Sequence, residues 1–323
     1  MRPEIQQQCE KLSENYEILR QCTAAEEEEV LLAAAGICAA AGSTADPARY
    51  EESLAVLKQR TNVLSEYRGT VKVIIVCKMA VSGDPAGYFD RTDSIYRILH
   101  PKALGSESAI LAAMILADAV TEPEQCALYA TRTLSLYRRM KDLHRFLTDE
   151  YDLPFAAVMA ITGREHDRIL GDAEACFAIL KAQKFGESNA IQSLSHVLAL
   201  YPGSAADKCT LMTEVRQGLK AAGHPYPPGG RLALLGMLTG LRETAADLVQ
   251  MIAEADDCLS AQSCFSRMQQ TTAGINARRM YAVQTVQQAL TGRDAGAAML
   301  SASLSAAVAE AVMLWLMLMA ATI

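Results

Sequence analysis

The sequence is poor in aromatic residues and carries few signals for β-strands. The aromatic fraction is 6%, with a single tryptophan among 323 residues. Long runs of Val, Ile and Thr between turn residues are missing, and the best strand candidate, residues 71–77, continues directly into a helical pattern. Alanine, leucine and methionine are plentiful instead, and they lose little side-chain entropy in a helix. The composition therefore favours an all-α fold.

Motifs for metal binding, redox chemistry and secretion are also absent. The nine cysteines are an odd number, and none of them forms a CxxC pair. Most lie within helical patterns, where a free cysteine behaves as a small apolar residue, so we expect reduced, buried thiols in a cytoplasmic protein and no metal site. The N-terminal residues MRPEIQQQCEKLSENYEIL lack the apolar core of a signal peptide.

Neither nucleic-acid binding nor a common enzyme chemistry is indicated. The net charge is −7, and no cluster of Lys and Arg with interleaved aromatics occurs. The phosphate-binding motifs GxGxxG and GxxxxGK(S/T), the metalloprotease motif HExxH and the nucleophile motif GxSxG are missing. We therefore predict no cofactor and no nucleic-acid partner, and the sequence does not favour an enzyme. The acidic pair Asp256-Asp257 is interpreted as part of a helix face.

A series of glycines divides the chain into units of roughly 40 residues, a period typical of helical repeats. Apolar helical stretches end at Gly42, Gly83, Gly163, Gly203, Gly240 and Gly292. A glycine just past a helix can adopt the left-handed conformation that satisfies the last carbonyls. The stretch from Gly83 to Gly163 is two units long, and the stop halfway along it is Thr121-Glu122-Pro123. The wider last interval predicts an insertion.

The units also resemble one another in sequence. The segment MAVSG at residues 79–83 matches MAITG at residues 159–163. Each unit holds an apolar helix (an A helix) that ends at the glycine, followed by a more amphipathic helix (a B helix). We predict an array of about seven αα hairpins over residues 1–294, with the A helices in an inner row and the B helices in an outer row. The array is expected to form an α-solenoid or a closed α/α toroid.

The C-terminal segment, residues 295–323, is almost wholly apolar, and Glu310 is its one charge. The segment is long enough to span a bilayer, but a glutamate near its middle would be costly in lipid. The preferred interpretation is a helix packed on the array. Self-association into a homo-oligomer and a membrane tail anchor are the alternatives.

One A helix carries a polar stripe. Asn189, Gln192, Ser193 and His196 lie three or four residues apart and so share one face. In a sister unit the corresponding positions are mainly apolar. A buried polar group without a partner costs about 1–3 kcal/mol, so these residues should meet partners, water or a ligand. Both a hydrogen-bonded core network and a ligand or catalytic pocket are left open.

A second candidate site lies at the starts of the A helices. These positions hold Tyr67, Arg68, Asp152, Asn189, Arg278 and Arg279. In a closed or strongly curved array they would share one rim, and helix N-termini favour anions. Ordinary capping and salt bridges are the alternative.

Four segments resemble one bacterial family. They are YRGTVK, GSESAILAAMILAD, FGESNAIQSLSHVLAL and LKAAGH, in this order. The chain is similar over nearly its whole length to members of the family called domain of unknown function four thousand and three. The resemblance implies a bacterial, cytoplasmic protein, and it implies no activity, substrate or cofactor.

Three functions of different classes are compatible with these observations. The leading hypothesis is a non-enzymatic helical-repeat protein that binds a protein or peptide partner on a concave face. The second is a toroid with a central pocket for a small molecule or lipid, with or without enzymatic activity. The third is a membrane-associated protein held by residues 295–323, which the position of Glu310 disfavours.

Overall fold

The structure is a computed structural model that describes residues 1–23, 27–100, 106–266 and 271–291. Within these ranges the chain is helical and contains no β-strand. The helices are α1 (Pro3–Cys22), α2 (Glu28–Ala40), α3 (Pro47–Arg60), α4 (Lys72–Ser82), α5 (Pro85–Leu99), α6 (Glu107–Ala119), α7 (Pro123–Leu143), α8 (Leu153–Ile161), α9 (His166–Ala182), α10 (Ser188–Leu200), α11 (Ala205–Ala221), α12 (Leu232–Leu235), α13 (Ala245–Ser260), α14 (Ser263–Ser266) and α15 (Thr272–Leu290). The 3-10 segments are Glu66–Arg68, Glu150–Asp152, Gly229–Arg231 and Gly236–Gly240. The all-α prediction is confirmed for the described residues, and the strand candidate lies mostly in α4.

Apolar and amphipathic helices alternate along the chain. The A helices are α2, α4, α6, α8, α10, α12 and α15, and the B helices are α3, α5, α7, α9, α11 and α13. In α6 every residue from Ser108 to Ala117 is buried, as a helix enclosed on all sides requires. In α7 the buried residues recur every three or four positions and form one stripe: Cys126, Ala130, Thr133, Leu136 and Met140.

The described chain separates into two compact units. Unit I comprises the described residues of 11–161, and unit II comprises those of 1–10 and 162–309. In unit I, α2 packs on α4 and α6 packs on α8, while the B helices α3, α5 and α7 pack in sequence. In unit II, α10 packs on α12 and α12 on α15, while α9, α11 and α13 pack in sequence. The solenoid and toroid arrangements stay predictions, and the C-terminal segment 295–323 lies outside the described residues.

Four of the predicted glycine stops have the expected backbone. Gly42, Gly83, Gly163 and Gly203 have φ angles of 68°, 75°, 67° and 109°. The predicted proline stop is also present, because α6 ends at Ala119 and α7 begins at Pro123. At Gly240 a helical segment ends as predicted, but it is a 3-10 segment and the glycine lacks the left-handed conformation; a Cβ there would lie against the ring of Tyr201. Gly292 lies outside the described residues.

Cationic side chains bind the carbonyls that end several A helices. Lys11 Nζ donates to the carbonyl of Gly42 just past α2, at 2.6 Å. Arg91 Nε donates to a carbonyl in the last turn of α6 at 3.0 Å, and Arg164 Nη1 donates to one in α10 at 2.5 Å. A positive charge at a helix C-terminus typically contributes about 0.3–1 kcal/mol. In these three cases the cation precedes the capped helix in the chain, whereas Lys208, which follows α10, donates through Nζ to the carbonyl of Leu198 at 2.8 Å.

Candidate functional site

The polar stripe of α10 is largely buried in unit II. Gln192, Ser193 and His196 are buried, whereas Asn189 in the first turn is exposed. Ser193 Oγ donates to the carbonyl of Asn189 at 3.1 Å, so this hydroxyl is satisfied within its own helix. The buried Ser195, which the sequence analysis did not single out, likewise donates to the carbonyl of Gln192 at 2.7 Å. Two hydroxyls are thus accounted for, and a ligand role for the stripe stays a prediction.

Tyr67 and Arg68 lie in the 3-10 turn before α4 and are both engaged. The Tyr67 ring packs edge-on against Phe89, with ring centroids 5.0 Å apart, and its hydroxyl donates to Asp93 Oδ1 at 3.3 Å. Burial, followed by the charge of Asp93, raises the pKa of Tyr67 above its usual range. Arg68 Nη2 donates to the carbonyl of Lys58 at 2.6 Å. Arg68 therefore caps the C-terminus of α3.

Asp152 lies in the 3-10 turn that leads into α8 and is buried. Its Oδ2 accepts a hydrogen bond from the backbone N–H of Asp149 at 3.1 Å, as half of a reciprocal capping box. Burial raises the pKa of Asp152 to about 7, and the hydrogen bond from Asp149 opposes that rise. Asp152 acts as a capping residue whose charge changes near neutral pH.

The raised pKa of Asp152 predicts a pH-dependent stability. Between the ordinary value of 3.8 and about 7, the folded chain holds a proton that the unfolded chain loses. The free energy of unfolding should therefore fall as the pH rises through this window, by on the order of 2 kcal/mol between about pH 5 and about pH 8. Asp152→Asn should remove this part of the slope, measured by urea unfolding at several pH values. The exposed Asp142→Asn is the control, and an equal flattening in both variants would contradict the assignment.

The starts of three A helices in unit I are tied together by side chains. Thr70 N–H, just before α4, donates to Oε1 of Glu107 in the first turn of α6 at 2.7 Å. Ser106 Oγ donates to Oε2 of Glu150, just before α8, at 3.3 Å. The 3-10 turns that hold Tyr67 and Asp152 both contact α6. The structure thus brings these two predicted residues to the same end of one helix, although each is engaged by its own partners.

The loops at this end carry exposed apolar side chains that sequence reasoning missed. Val63 and Leu64, between α3 and α4, are 80% and 90% exposed. Leu143 ends α7 at 51%, and Phe146 in the following loop is 97% exposed. We call these four side chains the apolar loop residues. Three of them lie in loops whose other residues are mostly polar, which is their signal in the sequence, and Leu143 is the last residue of α7.

Arg278 and Arg279 converge on a buried carboxylate in unit II. Arg278 Nε lies 2.6 Å from Asp256 Oδ1, and Arg279 Nε lies 3.6 Å from Asp256 Oδ2. His224 Nδ1 lies 2.7 Å from the same Oδ2. Both arginines occupy the second turn of α15, so their predicted place in a first turn is wrong. Three cationic or titratable groups therefore surround one carboxylate.

The interpretation of Asp256 as part of a helix face needs correction. Its side chain is 1% exposed, whereas the neighbouring Asp257 side chain is 77% exposed. The two residues point to different sides of α13 because consecutive helical positions are about 100° apart. Asp257 fits the predicted face, and Asp256 is the centre of an ion cluster that joins α13, α15 and the segment after α11.

These elements define an all-helical protein with alternating apolar and amphipathic helices. A family model described as a protein of unknown function (DUF4003) matches residues 15–310, and the chain belongs to this family. Over 90 residues it is 31% identical to the uncharacterized protein YeaA of Bacillus subtilis (strain 168), which is 28% of this chain and 27% of that relative. The chain therefore aligns with about a quarter of the relative's length. No solved structure matches the chain.

Two features are absent from the part of the chain that the structure describes. None of the helices there combines the length and the apolar character needed to cross a membrane. Within the same ranges no three His, Cys, Asp or Glu residues are grouped so as to hold a metal ion.

Proposed function

We propose that the protein is a non-enzymatic helical-repeat protein that binds a protein or peptide partner through the apolar loop residues of unit I. The observation that carries the proposal is the exposure of Val63, Leu64, Leu143 and Phe146 on two loops at the end of unit I where α6 begins. A single exposed leucine is ordinary on a protein surface. Four large apolar side chains on two loops fixed at one helix end favour a docking surface.

The loops that present these side chains are held at their bases. Arg68 binds the end of α3, and the capping box of Asp149 and Asp152 fixes the turn into α8. A surface that is ordered before binding loses less conformational entropy on association. The partner is expected to contribute apolar side chains. The apolar loop residues are uncharged, so they can bind a partner only through apolar contacts.

The tandem hairpin arrangement is part of this proposal. It is supported within each unit by A helices that pack on one another and B helices that pack in a second row. A repeat array offers an extended surface for binding a partner. A cytoplasmic location is proposed with it, since all nine cysteines are free thiols, as a reducing compartment allows.

A small-molecule pocket is the second candidate. It is supported by the burial of Gln192 and His196 on α10. The corresponding positions of α6, the matching A helix in unit I, are apolar. The membrane-anchored alternative depends on residues 295–323, which lie outside the described residues.

The docking surface can be tested with one loop variant and one matched control. The variant combines Leu64→Ser with Phe146→Ser, and the control is Leu128→Ser, an exposed leucine (64%) in the second turn of α7. Side chains that anchor an interface typically cost more than 1 kcal/mol each when truncated, so the double variant should weaken binding by roughly tenfold or more.

The measurement is capture from a lysate of a bacterium that carries the protein, followed by the dissociation constant for each captured protein after its purification. A genuine partner binds the wild type and Leu128→Ser equally and loses affinity for the double variant. If every captured protein binds all three forms equally, the apolar loop residues are not the docking surface.

A further inference from the structure

Unit I contains a cleft between its first four helices. The cleft has a volume of about 220 Å³ and is lined by residues of α1, α2, α3, α4 and the turn after α2. Its lining includes Cys38 from α2 and Cys77 from α4. A volume of this size accommodates a molecule of a few heavy atoms. Two thiols therefore line one small cavity.

The two thiols interact with each other. Cys38 and Cys77 form a side-chain hydrogen bond between the packed helices α2 and α4. That hydrogen bond lowers the pKa of Cys38, and the charge of Lys78 acts in the same direction, while burial opposes both. The same hydrogen bond and burial raise the pKa of Cys77. Cys38 is thus the better nucleophile of the pair, because the thiolate is the attacking form.

We propose that Cys38 and Cys77 are a redox-active pair that is oxidised to a disulfide by a small organic disulfide entering the cleft. The Cys38 thiolate attacks one sulfur of the small disulfide, forms a mixed disulfide and releases one small thiolate. The Cys77 thiol loses its proton to that thiolate, attacks the Cys38 sulfur and releases the second small thiolate, which takes up the proton from Cys38. One small disulfide is reduced to two thiols, and two cysteines are oxidised to one disulfide.

The chain contains an internal comparison for this reaction. Cys176 in α9 and Cys209 in α11 also form a side-chain hydrogen bond, in unit II. All four thiols are buried, since Cys38 and Cys77 are 3% and 1% exposed and both thiols of the unit II pair are 0% exposed. The difference is that Cys38 and Cys77 line the cleft of unit I, whereas the unit II pair does not. Because thiol–disulfide exchange requires access as well as a thiolate, the cleft pair should react first.

The test uses the full, reduced chain and bis(2-hydroxyethyl) disulfide as the probe. After a timed exposure the remaining thiols are alkylated, and the linked peptides are mapped by mass spectrometry. We expect a Cys38–Cys77 disulfide at least tenfold sooner than a Cys176–Cys209 disulfide. Mapping the wild type needs no substitution, so its outcome does not depend on whether a variant folds.

Variants then assign the order of attack. Cys77→Ser should stop at the mixed disulfide on Cys38, and Cys38→Ser should leave Cys77 unmodified over the same time. Cys176→Ser should react like the wild type in unit I. The proposal is overturned if the cleft pair forms no disulfide, if it reacts no faster than the unit II pair, or if Cys77 links to a cysteine other than Cys38.

Discussion

Asp256→Ala is expected to lower the free energy of unfolding by about 3 kcal/mol, the size typical of breaking a buried ion pair from one side. The substitution leaves the Arg278 guanidinium, which the carboxylate binds at 2.6 Å, without its acceptor in a largely buried setting. Arg279 and His224 lose the same carboxylate. Urea unfolding monitored by circular dichroism measures the loss, and the unfolding midpoint of unit II should shift the most.

The adjacent residue provides a matched control. Asp257→Ala removes an equal charge from the same helix, but this side chain is 77% exposed and lies 3.9 Å from His224 Nε2. Surface ion pairs of this kind contribute about 0–1 kcal/mol. If the two alanine variants are equally stable, Asp256 is not the centre of the cluster that its geometry indicates.

Substituting both glycines of the segment Gly236–Gly240 is expected to destabilise unit II by about 3 kcal/mol, because overpacking a closed contact forces neighbours to shift. A Cβ on Gly236 would lie 2.8 Å from Val197 Cγ1, and one on Gly240 would meet the buried ring of Tyr201. Both neighbours belong to α10 or directly follow it. The two glycines, four residues apart, therefore allow the segment to approach α10 closely.

Gly171→Ala is the control for this pair. Gly171 lies within α9, where a Cβ would meet no atom within 4 Å, and its φ is not positive. Alanine there should stabilise the helix by about 0.5–1 kcal/mol. Thermal and urea unfolding of Gly236→Ala/Gly240→Ala and of Gly171→Ala should shift in opposite directions. A double variant as stable as the wild type would show that the close approach does not occur.

The local features of the fold were predictable from the sequence. The period of apolar residues distinguishes a helix such as α6, buried on all sides, from one such as α7 with a single buried stripe. The helix boundaries at Gly83 and Pro123 were also predictable, because each of these residues ends or begins a helix through its own backbone conformation. Gly240 was misinterpreted because its role depends on Tyr201, 39 residues earlier, and not on its own turn.

The contacts of the candidate sites depend on pairings between helices that a single sequence does not specify. Asp256 and Asp257 could not be distinguished in the sequence, because no neighbouring residue shows which carboxylate faces Arg278 and which faces water. The pairing of the thiols could have been predicted from the spacing of the cysteines in the sequence. Cys38 and Cys77 are separated by about one repeat unit, and Cys176 and Cys209 by slightly less, so equivalent positions of adjacent hairpins are brought side by side.

The cations that bind the ends of α2 and α6, and one of the two that bind the end of α10, come before the helix in the chain. Lys11, Arg91 and Arg164 each precede the helix whose last carbonyls they bind. On a ribosome the chain emerges N-terminal end first, so each of these helices completes its last turn after the group that neutralises it has been made. For these three helices, growth of the fold can therefore follow synthesis, because each apolar helix docks onto a surface that already carries a cation for its end.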